Sequence, residues 1–95
     1  MHFKVTKEIL AESSKLLKQG GARTLCCPIA LAIKAGFGDS PSIMVTRTYV
    51  AMDHKAYKFP EEVRNYIAAA DKAGSNFEEI PEFEFDFDIE KAEGV

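Results

Sequence analysis

The chain contains no tryptophan, and its two cysteines, Cys26 and Cys27, are neighbours. A normal disulfide separates its Cα atoms by well over the ~3.8 Å of one peptide step, so this pair is not expected to bridge. There is no C-x-x-C and no Cys/His ligand set, which argues against zinc. No apolar run approaches the ~20 residues that would cross a bilayer. The opening Met1-His2-Phe3-Lys4 lacks a basic stretch followed by an apolar one, so no signal peptide is expected. Free thiols without a leader suggest a reducing cytoplasm. The glycine patterns of a dinucleotide fold or a phosphate-binding loop are missing, which excludes a nucleotide hydrolase of that type. Neither His2 nor His54 has a Ser, Cys or Asp partner in a recognisable motif, so no enzyme activity and no cofactor are expected.

What remains is ordinary globular composition: 95 residues, 46% hydrophobic and 28% charged. That length and balance fit one domain over residues 1–95. A chain of this size buries only ~60–65% of its unfolded surface, so each large apolar residue matters. Seven Phe and three Tyr supply the aromatic bulk. The net charge of -3 conceals a split: residues 1–76 carry eleven Lys/Arg against seven Asp/Glu, and residues 77–95 carry one Lys against eight. The body is therefore basic (+4) and the tail acidic (-7). The lysines are scattered rather than striped, which fits a small anionic ligand better than duplex nucleic acid.

The periodicities predict the element order β-α-α-β-β-α-β, an α+β domain. Its sheet is expected to be mostly antiparallel, packed on one face by helices. Phe3 and Val5 alternate with polar neighbours in a first strand. Thr6 caps a helix over 7–19, whose inner face is Ile9, Leu10, Ser13, Leu16 and Leu17 and whose end is Gly20-Gly21. Ala22 to Cys26 reads as a connection. A short helix then begins near Pro28, apolar nearly all round and so expected to be buried centrally, with Gly36 as its stop.

Ser42 to Met52 is β-branched, but its alternation changes parity in the middle. A bulge near Arg47-Thr48, or a break into two strands, would resolve this. Asp53-His54-Lys55 turns the chain into a strand over 56–59. Pro60 opens a third helix with Val63, Tyr66, Ile67 and Ala70 inward and Gly74 at its end. Residues 75–81 read as a linker. Residues 82–89 alternate acid with Phe or Ile throughout, and the apolar row of Phe83, Phe85, Phe87 and Ile89 should meet Ile29 and Ile33. Residues 90–95 are expected to fray.

Cys27-Pro28-Ile29-Ala30-Leu31-Ala32 resembles the CPIALA core of a family of small tailed-bacteriophage proteins. A following strand pair, the Phe59-to-Ile67 helix start and the Pro81-to-Phe85 strand match in order, so the similarity extends over most of residues 23–89. The family carries no settled biochemical role. The resemblance implies a phage accessory protein in the cytoplasm of an infected bacterium, and it implies no catalytic residue. The hairpin departs from the family's Asp-Gly turn, because His54 follows Asp53; a longer or strained turn is expected there.

Three groups of residues could carry function. Arg23, Thr24 and Cys27 stand at the start of the buried helix, whose unpaired N–H groups could receive a phosphate or carboxylate. Internal capping is the plainer account of those groups. Arg47, Tyr49, His54, Lys55 and Tyr57 supply cations and π-faces on a hairpin, as a stacked nucleotide would need. A solvated sheet surface would show the same residues. Glu82, Glu84, Asp86 and Asp88 form a carboxylate row ~6.6–6.8 Å apart, too widely spaced to share one metal ion. It could imitate a nucleic-acid backbone, or simply deter edge-to-edge pairing.

The leading expectation is a non-enzymatic phage counter-defence or takeover protein that sequesters a small anion, with a nucleotide immune signal as the specific candidate. The alternative is an inhibitor whose acidic strand blocks a host nucleic-acid-binding protein. A homo-oligomer of structural role is a third option. No membrane contact is expected.

Overall fold

Alternation of Phe3 and Val5 with His2 and Lys4 puts the two apolar side chains on one face of β1 (His2–Val5), where both are buried. This strand opens a computed structural model that describes residues 1–38, 42–53, 55–74, 76–88 and 94. Thr6 ends the strand and caps α1 (Lys7–Lys18), its hydroxyl accepting the Ile9 N–H at 3.2 Å. Glu8 lies in the first turn and Lys15 and Lys18 in the last, in the sense the helix dipole favours.

The segment read as a connection contains a single helical turn, α2 (Arg23–Cys26). Its last carbonyl accepts the buried Ser13 hydroxyl of α1. The central helix follows as α3 (Pro28–Phe37), with proline in its first turn. It runs past Gly36, contrary to expectation, and stops at Gly38, which takes φ +82°. Gly36 serves a different purpose. A Cβ built on it would lie 2.4 Å from Phe3 Cε1, so only glycine lets α3 approach the β1 ring this closely.

The β-branched segment breaks into β2 (Ile43–Val45) and β3 (Tyr49–Met52), the second of the two ways to reconcile its parity. Thr46 makes the corner: its hydroxyl accepts the N–H groups of Thr48 and Tyr49. β4 (Lys55–Lys58) then pairs with β3, Met52 lying opposite Lys55. That register leaves two residues between the paired positions, so of the longer or strained turn expected it is not the longer one, and the positive φ of its first residue fits the strained alternative. Asp53 takes φ +49°, a conformation Asp tolerates. The structure of His54 lies outside the described residues.

α4 (Glu61–Ala73) buries Val63, Tyr66, Ile67 and Ala70 as its spacing predicts, with Pro60 as the residue before the helix. The supposed linker holds a 3-10 turn, Phe77–Glu79, which buries Phe77 completely. β5 (Phe83–Asp86) closes the fold.

Among the described residues the strands form two antiparallel sheets rather than one: β1 with β5, and the meander β2-β3-β4. Phe3 pairs with Phe85, extending into a reciprocal backbone contact between Met1 and Phe87. The β5 ladder is thus shorter than the 82–89 alternation, and Ile89 lies outside the described residues. Phe85 and Phe87 join Ile29 and Ile33 in one buried cluster, as expected. Phe83 is only half-buried; it stacks on Tyr66 with centroids 4.4 Å apart. Of the tail expected to fray, Gly94 bridges to Tyr57 on β4. No helix among the described residues is long and apolar enough to cross a membrane.

Candidate functional site

The start of α3 is closed rather than open to a ligand. Cys27 caps the helix itself: its Sγ accepts the Ala30 N–H at 3.4 Å, and the residue is buried. Burial pushes its thiol above the ordinary range, against backbone N–H groups that pull it down, with nearby Asp71 raising it and Arg23 lowering it. A thiol held protonated in this way is a weak nucleophile. Cys27 is therefore a packing and capping residue, which corrects its reading as a ligand contact. Thr24, half-buried in α2, does not provide the cap. Both cysteines are free.

The tertiary structure brings Arg23 and Arg47 together on a residue that sequence reasoning missed, Asp71 in the last turn of α4. Arg47 Nε and Nη2 donate to Asp71 Oδ2 at 3.2 and 3.0 Å. Arg23 Nη1 approaches Oδ1 at 3.4 Å, and its Nη2 donates to the Gly74 carbonyl at 2.6 Å. Two guanidiniums thus share one carboxylate, so that among the described residues this trio carries one positive charge in excess. The three side chains come from α2, the β2–β3 corner and α4, and all are at least partly open to solvent. No local sequence signal marks Asp71, because its partners are distant in the chain.

The two tyrosines of the hairpin are not brought together. Tyr57 lies opposite the buried Val50 and packs on the core face of the meander. Tyr49 sits one position away in register, on the outer face with Met44 and Ala51. A single stack using both is therefore not formed.

The acidic row is partly occupied by its own protein. His2 Nδ1 lies 2.8 Å from Asp86 and Nε2 lies 3.5 Å from Glu84, while Lys4 reaches Glu84 at 3.7 Å. Glu82 accepts the Lys7 N–H at the start of α1, at 3.2 Å. The face remains acidic on balance, and the Asp86 side chain is 83% exposed. Two open clefts, of about 350 and 240 Å³, meet at Glu82. Lys4 and Lys7 balance Glu82 and Glu84 around them, so the clefts themselves favour neither sign of charge.

Among the described residues, no group of three or more His, Cys, Asp or Glu side chains is placed to hold a metal ion. Comparison with protein-family models, curated proteins and solved structures finds no match.

Proposed function

We propose that this chain is a binding protein whose Arg23–Arg47 pair captures a small phosphate-bearing anion. The convergence of two guanidiniums from separate elements on one carboxylate is the observation that carries this reading. A phosphate offers several acceptor oxygens where Asp71 offers two, and it suits the planar donor fork of arginine. The ligand must displace Asp71. Exposed ion pairs contribute only ~0.2–1 kcal/mol each, so that exchange costs little. In an infected bacterium, the setting implied by the resemblance to small phage proteins, such capture would withdraw an anionic signal from the host.

The test is a thermal-shift titration with inorganic phosphate and pyrophosphate, because a ligand that binds only the native state raises the melting temperature. Arg23→Ala or Arg47→Ala should abolish the shift while leaving the protein folded. No shift at millimolar anion would remove the proposal.

The exposure of Asp86 and the excess of carboxylates on the outer face of the β1–β5 sheet favour a second reading. Here Glu82, Glu84, Asp86 and Asp88 would engage a basic host protein and block its nucleic-acid site. Capture of such a protein should fall with added salt and with Glu84→Gln plus Asp86→Asn. Capture indifferent to both would dismiss the mimic.

A further inference from the structure

The parity of the β1–β5 pairing decides where the backbone groups of β5 point. Phe87 donates its N–H to the Met1 carbonyl at 2.8 Å, and the Met1 amino group donates to the Phe87 carbonyl at 3.2 Å. Directly opposed residues of an antiparallel pair alternate between bonded and non-bonded. Phe3–Phe85 and Val5–Phe83 are therefore bonded, and His2–Asp86 and Lys4–Glu84 are not. The backbone N–H and C=O groups of Glu84 and Asp86 thus point away from β1. Among the described residues no strand pairs with β5 on that side. Both residues are exposed, and Phe83 beside them is half-buried.

We propose that this edge of β5 receives an extended segment of another protein as an added antiparallel strand, one that alternates Lys or Arg with apolar residues. This rests on the reading of the acidic face as a surface for a basic partner and names how that partner docks. In strand addition the main chain supplies the pairing and alternate side chains supply the selection. Residues set opposite Glu84 and Asp86 share their outer face, where a cation is favoured and an acid repelled. The residues between them turn inward beside Phe83. β1 shows the same pattern on the other side of β5: His2 and Lys4 meet Asp86 and Glu84, while Phe3 and Val5 face the core. Carboxylates on an edge ordinarily deter pairing. Here they deter neutral and acidic strands and leave basic ones favoured. The β5 strand of a second copy is disfavoured as the occupant, because acids would lie opposite acids.

Fluorescence anisotropy with a labelled, end-blocked Lys-Val-Lys-Phe-Lys-Val-Lys peptide tests this. Methylating the backbone nitrogens of its lysines keeps every charge and removes the donors that face β5. The unmodified peptide should bind at least ~10-fold more tightly than the methylated one, as the loss of two or more backbone hydrogen bonds requires. Glu84→Gln with Asp86→Asn should weaken the unmodified peptide several-fold and leave the melting temperature nearly unchanged, since exposed charges contribute little to stability. Equal binding of the two peptides, still weakened by the double variant, would overturn strand addition and spare the acidic face as a charge site. Binding of neither would overturn both. Self-association of the protein alone, abolished by the double variant, would assign the edge to a second copy and overturn the foreign strand.

Discussion

Replacing Gly36 with alanine should destabilise this protein, although the position lies inside a helix and is exposed. Helix propensity alone says the opposite: alanine is favoured over glycine by ~0.8–1 kcal/mol in a helix interior. The added methyl carbon would lie 2.4 Å from Phe3 Cε1 and 2.8 Å from Cδ1. Phe3 cannot swing away cheaply, since its ring is 2% exposed and packs against Phe37 and Phe85 with centroids 5.6 and 5.3 Å apart. Forcing extra volume into such a site costs about 1–3 kcal/mol, occasionally more. At this distance the upper part of the range applies, so the clash outweighs the propensity gain by ~1–2 kcal/mol. For a domain of this size that lowers the melting temperature by roughly 4–16 °C. Urea unfolding followed by circular dichroism measures the effect. A cycle with Phe3→Leu should return a coupling of ~1 kcal/mol or more, because a smaller side chain at position 3 relieves the contact. A Gly36→Ala protein more stable than the parent by about the propensity difference would refute the argument.

Truncating Phe85 to alanine should cost ~3–5 kcal/mol in the same assay, since its ring is buried between Phe3 and Phe83; a loss under ~1 kcal/mol would remove β5 from the core. Tyr66 gives a pH dependence: burial, joined by nearby Glu82, pushes its hydroxyl up to about 12. The unfolded chain releases this proton near ~10, so the contribution is intact below that pH and is lost as pH rises toward 12. Up to ~2–3 kcal/mol is at stake, and Tyr66→Phe, which also forfeits the bond to the Pro81 carbonyl, should show a shallower alkaline slope between pH 9 and 11.5. An identical slope in both proteins would contradict this assignment. Asp71→Asn should lower stability by no more than ~2 kcal/mol, because its two ion pairs are solvent-accessible, yet tighten phosphate binding by freeing both arginines. Unchanged phosphate affinity in that variant would show that Asp71 does not compete for them.

The sequence alone determined the local elements whose signals are contiguous. Thr6 before an amphipathic run, the apolar Pro28 helix, and the spacing of Val63, Tyr66, Ile67 and Ala70 each specify a helix and its buried face. The parity change between Val45 and Val50 announced a break, and strict alternation marked β5. Each of these depends on backbone periodicity and on neighbours a few residues away, which the chain displays directly. Only the tertiary structure decided the partners. Whether the five described strands make one sheet or two depends on which edges meet, and alternation is the same in either arrangement. Gly36 looks like a helix stop until Phe3, far away in sequence, is seen to need the space above it. Phe77 looks like part of a linker until the 3-10 turn buries it. The candidate site follows the same logic: Arg23 and Arg47 were legible as cations, but their meeting at Asp71 is a property of how α2, the β2–β3 corner and α4 pack, and such long-range proximity leaves no periodic trace in one sequence.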